Sequence, residues 1–103
     1  MKIVFLKIFK EDIKKIKDEK LKAELKQVII DLKNANNLQN IENLSKLKGY
    51  YSMTYRIKIG EYRLGVYFQN NILYLTRFVK KEDVYKVFPD DAILTFFKNI
   101  KGT

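Results

Sequence analysis

Two alternating segments on either side of Gly60-Glu61 constrain this chain more than any other feature of its sequence. Apolar and polar side chains alternate over residues 55–59 and again over residues 62–68, the pattern of strands with one buried face. The two residues between them fit a tight turn. The sequence therefore predicts an antiparallel hairpin in which Lys58 lies directly opposite Arg63.

The hydrophobic period is different before this hairpin. Residues 2–7 are β-branched and aromatic, which favours a first strand, and residues 38–45 form a polar connector. Between them lie two apolar stripes at helical spacing, roughly 130° out of phase, so a single straight helix could not bury both. We therefore predict a helical hairpin that breaks near residues 17–20. The stripes consist of Phe9, Ile13 and Ile16, and of Leu21, Leu25, Val28, Ile29 and Leu32.

Shorter elements follow the hairpin. Asn70-Asn71 predicts a turn, residues 72–79 a third strand, and residues 81–88 a short helix that stops before a proline. The tail, residues 90–103, is apolar enough to form a last helix that packs or binds something. The predicted fold is α+β with the order βααβββα: an N-terminal strand, a helical hairpin, an antiparallel β-meander and short C-terminal helices. Residues 1–103 are expected to form a single domain.

Composition restricts the chemistry. The 103 residues include 21 Lys and Arg against 12 Asp and Glu, a formal charge of +9, which predicts a polyanionic or acidic partner. The chain has neither Cys nor His, so thiol chemistry, disulfides and the usual general base and zinc ligand are excluded. Catalysis would have to use Lys, Arg, Tyr, carboxylates or hydroxyls. No apolar run has the length of a membrane span and no signal peptide opens the chain, so we expect a cytoplasmic protein.

The face of the hairpin turned away from the core is basic. It carries Arg56 and Lys58 beside Arg63, Gly65 and Tyr67. Like charges directly opposite one another destabilise a sheet, whereas a phosphate site needs converging cations. Gly65 would let a ligand approach closely, and Tyr67 would offer a ring on which a base stacks. In a chain of charge +9, however, exposed strand positions are often cationic by composition alone, and both interpretations stay open at this point.

Further cations lie beyond this hairpin. Arg77 is the next basic residue, and Lys80 and Lys81 follow at the rim where the third strand ends. The alternative for the two lysines is a solvated helix start. On helical spacing alone, Tyr85 is expected to be a core aromatic and not a site residue.

The order of these motifs resembles the RelE/ParE superfamily of toxin–antitoxin toxins. That superfamily has an L-x-G turn, a Y-R-I-R-x-G-[DE]-Y-R-x-x-Y hairpin and a closing H-R-[KRE]-[DE]-x-Y segment. Here the corresponding residues are Leu47-Lys48-Gly49, the hairpin at 55–64 and the segment at 80–85, within a match that spans residues 47–89. The resemblance is closest to the RelE branch, the ribosome-dependent mRNA interferases. The chain departs from the pattern at Lys80, where many members have His, and at Val79, where Gly is frequent.

The resemblance implies an activity. RelE-type toxins enter the ribosomal A site and cleave mRNA through attack by the neighbouring 2′-hydroxyl, leaving a cyclic phosphate, without a metal or another cofactor. The residue chemistry fits this activity: Lys58, crowded by arginines, would serve as base, and Arg63 would hold the scissile phosphate. Lys80 or Lys81 would protonate the leaving oxygen, and Tyr85 would stack on or orient the base. The resemblance implies binding and chemistry at Arg56, Lys58, Arg63, Lys81 and Tyr85. Together with the basic residues found above, the expected catalytic residues are Lys58, Arg63, Lys80, Lys81 and Tyr85, and the expected RNA-binding residues are Arg56, Tyr67 and Arg77.

The resemblance also implies an acidic antitoxin that binds the basic sheet face, the C-terminal segment, or both. Two other functions stay open. A ParE-like inhibitor of gyrase would share the fold without needing an RNase site, and a basic module could bind RNA without cutting it. The converging cations at Arg56, Lys58 and Arg63, together with Tyr85, count against the gyrase alternative.

Overall fold

The computed structural model describes residues 1–46 and 53–88, and within them the chain has the predicted α+β fold. A mixed five-stranded sheet has the order β1-β5-β4-β3-β2, in which only β1 and β5 are parallel neighbours. The predicted turn at residues 47–49 and the tail at residues 90–103 lie outside the described residues. The strands are β1 (Lys2–Phe5), β2 (Leu44–Lys46), β3 (Thr54–Ile59), β4 (Tyr62–Gln69) and β5 (Ile72–Lys80), and the helices are α1 (Lys7–Lys14), α2 (Glu19–Asn34) and α3 (Val84–Val87).

The central hairpin has the predicted register. Lys58 pairs with Arg63, and Ile57 pairs with Leu64. Gly60 in the turn has a φ of 58°, a left-handed conformation that glycine adopts without the steric penalty of a side chain. The next turn has left-handed φ values of 54° and 62° at Asn70-Asn71, which asparagine tolerates better than most residues. Both predicted turns are therefore confirmed.

The helical hairpin is also confirmed. It breaks after α1, and Asp18 caps α2 by accepting hydrogen bonds from the backbone N–H groups of Lys20 and Leu21. The apolar stripes of the two helices pack on one face of the sheet, where they form a common core with inward side chains of β3, β4 and β5. The opposite face is left for the candidate site. Along the described part of the chain, no helix is both long and apolar enough to cross a membrane.

The structure corrects two boundaries. Strand β2, residues 44–46, begins inside the predicted polar connector of residues 38–45. It is a three-residue edge strand, too short and too exposed to show alternation. The helix predicted over residues 81–88 is reduced to the single turn of α3, preceded by a turn at residues 81–83. Within the described residues, the order of elements is therefore βααββββα, with a short 3-10 turn at Leu38–Asn40.

A buried carboxylate completes the edge of β5. Strand β1 pairs with β5 only over residues 72–75, so the rest of β5 extends beyond this neighbour. Asp12 of α1, which is 5% exposed, accepts hydrogen bonds from the backbone N–H of Phe78 at 2.9 Å and from the Arg77 guanidinium at 2.8 and 3.0 Å. Helix α1 thus provides a hydrogen-bond acceptor for a backbone N–H at the part of the β5 edge that β1 is too short to cover.

Candidate active site

Paired strands place three cations on the sheet face opposite the helices. Lys58 and Arg63 lie directly across from each other on β3 and β4, and Arg56 lies one row further along β3, across from Gly65. Lys58 is exposed, and the two arginines are half-buried. The shared face follows from the confirmed register, because successive side chains of a strand point to opposite faces.

Arg63 is anchored to the turn beside it. One terminal nitrogen of its guanidinium donates to the carbonyl oxygens of Gly60 and Tyr62, each at 2.9 Å. These bonds orient the side chain at the end of the hairpin. Because a guanidinium carries five N–H donors, an anchor through one nitrogen leaves donors for a phosphate.

Tyr85 joins this face from α3. Its ring lies 5.3 Å from the guanidinium carbon of Arg56, within cation–π distance, and the residue is 49% exposed. Its exposure contradicts the core position that helical spacing favours. A half-exposed ring next to a cation can contact a nucleobase.

Phe88 brings the closing segment onto the sheet at Gly65. A Cβ atom on Gly65 would lie 2.7 Å from atoms of the Phe88 ring, which is fully buried with Val84. Val79 packs against Phe88 and Val84. The valine that stands where the family frequently has Gly therefore contributes to the packing of the closing segment on the sheet. The expectation that Gly65 leaves room for a ligand is wrong, because a side chain of the same chain occupies that space.

Glu61 is a site residue that sequence reasoning missed. Its carboxylate lies 3.0 Å from the Lys81 ammonium, and its carbonyl accepts a hydrogen bond from the Lys81 N–H at 2.9 Å. The hydrogen bond and charge of Lys81 lower the pKa of Glu61, and the charges of Arg63 and Lys58 lower it further. The hairpin turn therefore brings a carboxylate into the cation cluster.

Lys80 is separated from Lys58 and Arg63, contrary to the expectation that it joins them. It is exposed at the end of β5, where it pairs with Tyr62, whose ring stacks on Phe78 in the helix-covered face. Val79, the residue before Lys80 in β5, pairs with Arg63 and so shares the row of Lys58 and Arg63. Of the two lysines predicted as the acid, the structure brings Lys81 to the hairpin end of the site.

Two predicted RNA contacts are differently placed as well. Tyr67 is only 8% exposed and packs edge-on against Tyr74, so the expectation of an exposed stacking ring is wrong. Arg77 shares the row of Gly65, but its guanidinium is bound bidentately by Asp12. Both side chains contribute to the packing of the sheet. The site of interest is thus the cluster of Arg56, Lys58, Glu61, Arg63, Lys81 and Tyr85, called the hairpin cluster below.

Known proteins are similar to this chain in fold and in sequence. The chain is 30% identical over 90 residues to the toxin RelE3 of Methanocaldococcus jannaschii, a match that covers 86% of this chain and 100% of that protein. It superposes with a TM-score of 0.70 and 29% identity on a chain of the RelB-RelE antitoxin-toxin complex from Methanococcus jannaschii, covering 84% of this chain and 99% of that one. The YoeB dimer from Staphylococcus aureus, at 23% identity and a TM-score of 0.62 over 78% of this chain and 94% of its own, supports the fold alone. The sequence matches no family model.

The match covers the whole of the relative, and the superposition covers nearly all of the solved toxin chain. The fold agrees with it: a helical hairpin packs on a mixed sheet that includes the N-terminal strand and in which four of the five strands are antiparallel neighbours. On these grounds the chain belongs to the RelE family of toxins.

Proposed function

We propose that this toxin is a metal-independent endoribonuclease that cleaves mRNA in the ribosomal A site. The observation that carries the proposal is the hairpin cluster, in which Lys58 and Arg63 face each other while Lys81 and Tyr85 approach from the closing segment. Converging cations of this kind suit a phosphodiester whose charge grows during reaction. Lys80, Tyr67 and Arg77 are left out of the proposed site because of where their side chains lie.

Each of the remaining residues has a role in the proposed reaction. The 2′ oxygen of one nucleotide attacks the adjacent phosphorus, the bond to the 5′ oxygen breaks, and a cyclic phosphate and a free 5′ hydroxyl result. Lys58 accepts the proton of the 2′ hydroxyl as general base. Arg63 binds the non-bridging oxygens as charge develops on them, and Lys81 donates a proton to the leaving oxygen.

Tyr85 would orient the RNA substrate in the site. The Tyr85 ring is held beside Arg56, and stacking on a base would fix the nucleotide relative to the cations. Positioning of this type accounts for a large part of the rate enhancement in reactions with a built-in nucleophile.

The proposed partner in the resting cell is an acidic antitoxin. The formal charge of +9 favours fast association with an acidic protein, and a relative of this chain occurs in a RelB-RelE antitoxin-toxin complex. We place the antitoxin over the basic sheet face, where its carboxylates would meet the cations that otherwise bind RNA.

Induction of the protein alone, followed by primer extension on translated messages, tests the proposal. We expect growth arrest and in-frame cuts, which Lys58→Gln abolishes and Lys14→Gln leaves intact. Both variants remove one exposed lysine charge, but Lys14 lies at the end of α1, away from the hairpin cluster. Intact messages with accumulated gyrase–DNA complexes would establish the ParE-like alternative, and salt-sensitive RNA binding without products would indicate a binding module.

A further inference from the structure

Glu61 occupies an unusual place for an acidic residue. It lies in the turn between Lys58 and Arg63, and its carboxylate pairs with Lys81 at 3.0 Å. Main chain and side chain both connect the two residues, because the Lys81 N–H also donates to the Glu61 carbonyl at 2.9 Å. The pair therefore holds a carboxylate at the edge of the surface on which RNA phosphate would bind.

Neither stability nor proton transfer accounts well for this carboxylate. The side chains of Glu61 and Lys81 are 77% and 51% exposed, and exposed ion pairs contribute little to folding. The three cations around Glu61 lower its pKa, which makes it a poor general base at neutral pH. A competing anion is the remaining role, since a carboxylate and a phosphate oxygen make the same kind of bond to an ammonium.

We propose that Glu61 is a built-in competitor of RNA phosphate for Lys81, and thereby limits how tightly the hairpin cluster holds free single-stranded RNA. A phosphate that approaches Lys81 must displace the carboxylate or accept its repulsion. RNA that is positioned by other contacts, as on the ribosome, can overcome this barrier, whereas RNA in solution depends on the cations alone. The inference rests on the proposed function only in that the hairpin cluster binds RNA.

The salt dependence of binding distinguishes this role from a general charge effect. A lysine that is already paired with a carboxylate releases little counterion when a phosphate arrives. Replacement of Glu61 by glutamine frees Lys81 for a full phosphate contact, so the slope of log K against log salt should become steeper by about 0.7. The affinity should increase by about two- to fivefold at low salt, as expected for one exposed ion pair.

A matched control is available on the helical layer. Glu19 also pairs with a lysine, Lys22, at 3.5 Å, and its side chain is 88% exposed. Glu19→Gln changes the net charge by the same amount as Glu61→Gln but lies on α2, on the other side of the sheet from the hairpin cluster. The probe is a labelled 2′-O-methyl RNA of about ten nucleotides, which lacks the attacking hydroxyl and so reports binding without cleavage.

Binding of this probe to the full-length protein is measured by anisotropy over a range of salt concentrations. We expect Glu61→Gln to bind more tightly and with a steeper slope than both the parent and Glu19→Gln, and we expect the gain to shrink in a Lys81→Gln background. Equal binding by Glu61→Gln and Glu19→Gln, weaker binding by Glu61→Gln, or a gain that persists undiminished without Lys81 would each overturn the inference.

The outcomes also separate this inference from the proposed function. If the parent cleaves translated mRNA but the two glutamine variants bind the probe alike, only the role of Glu61 fails. If messages stay intact while Glu61→Gln still tightens binding, the nuclease proposal fails and the competition between Glu61 and phosphate stands.

Discussion

At the scale of single residues, Arg63 combines a structural contact with the proposed chemistry. Arg63→Ala should reduce cleavage by roughly 100- to 1,000-fold, because it removes a fixed cation from the phosphate. Sequence alone predicts unchanged or slightly raised stability, since a like-charge pair is relieved. The bonds from Arg63 to the Gly60 and Tyr62 carbonyls change that expectation to a loss of about 1 kcal/mol. A ribosome-programmed cleavage assay and thermal melts measure the two effects.

The control for Arg63→Ala is the neighbouring core position. Ile57, on the helix-covered face, is 1% exposed, and Ile57→Ala should cost about 2 to 5 kcal/mol of folding free energy. If Arg63→Ala melts as early as Ile57→Ala, or cleaves like the parent, then Arg63 has a structural role and not the one proposed.

The lowered pKa of Glu61 predicts a pH profile for RNA binding. The surrounding cations favour the ionised carboxylate in the folded protein, so Glu61 stays charged throughout roughly pH 6 to 8. The affinity ratio between Glu61→Gln and the parent should therefore be constant over that range. It should decrease only at pH values below the ordinary titration range of a glutamate, where the parent also loses the charge. A ratio that changes between pH 6 and 8 would point to a different titrating group.

The sequence was sufficient to place some of these residues and insufficient for others. Lys58 and Arg63 follow from the length of one turn, because two-residue hairpins fix the register. Glu61 could have been found the same way, since pairing of β4 with β5 brings the end of β5 beside the turn. Arg77 could not, because its partner Asp12 is 65 residues away in the chain and no local pattern indicates the contact.

At the scale of secondary-structure elements, the closing segment depends on a glycine in the sheet. Gly65→Ala would place a methyl group 2.7 Å from the Phe88 ring, so the segment with α3 and Tyr85 must shift. We expect a loss of about 1 to 3 kcal/mol and a decrease in cleavage. In a Phe88→Ala background the same substitution should be nearly neutral, because the obstructing ring is gone. A double-mutant cycle by thermal melts measures the coupling, and additive effects would contradict the contact.

The attachment of α1 to β5 is a second testable element contact. Asp12→Ala would leave the half-buried Arg77 guanidinium and the Phe78 N–H without their acceptor, and removal of one partner from a buried ion pair costs about 3 to 5 kcal/mol. Glu11→Ala, at an exposed position on the same helix, should change stability by no more than about 0.5 kcal/mol. Urea denaturation of both variants tests this, and similar midpoints would refute the role of Asp12.

Local patterns predicted the elements better than their ends. The long α2 and the three long strands have a strong period and appear where the sequence places them. Strand β2 has only three residues, and its strand character comes from pairing with β3, which no local period reveals. The shortening of α3 has a similar cause at both ends. The Lys81 N–H is bonded to the Glu61 carbonyl of the hairpin turn, and Phe88 is fixed by its fit against Gly65 in an extended conformation outside the helix.

At the scale of the whole molecule, the excess of 21 basic over 12 acidic residues should control association with the proposed antitoxin. Attraction between opposite net charges speeds encounter, and salt screens it over a Debye length of about 8 Å at physiological ionic strength. The association rate should therefore fall steeply with salt, while the dissociation rate changes little. Stopped-flow measurements with the acidic partner test both rates.

The location of the charge separates a general attraction from the proposed interface. Lys58→Glu and Lys14→Glu both lower the net charge by two, but Lys58 lies in the hairpin cluster and Lys14 at the end of α1. If the antitoxin covers the basic sheet face, Lys58→Glu should slow association and also raise the dissociation rate, because it places a carboxylate against the acidic partner. Lys14→Glu should affect only the association rate, and modestly. Identical kinetics for the two variants would mean that the antitoxin binds away from the hairpin cluster and inhibits the toxin by another route.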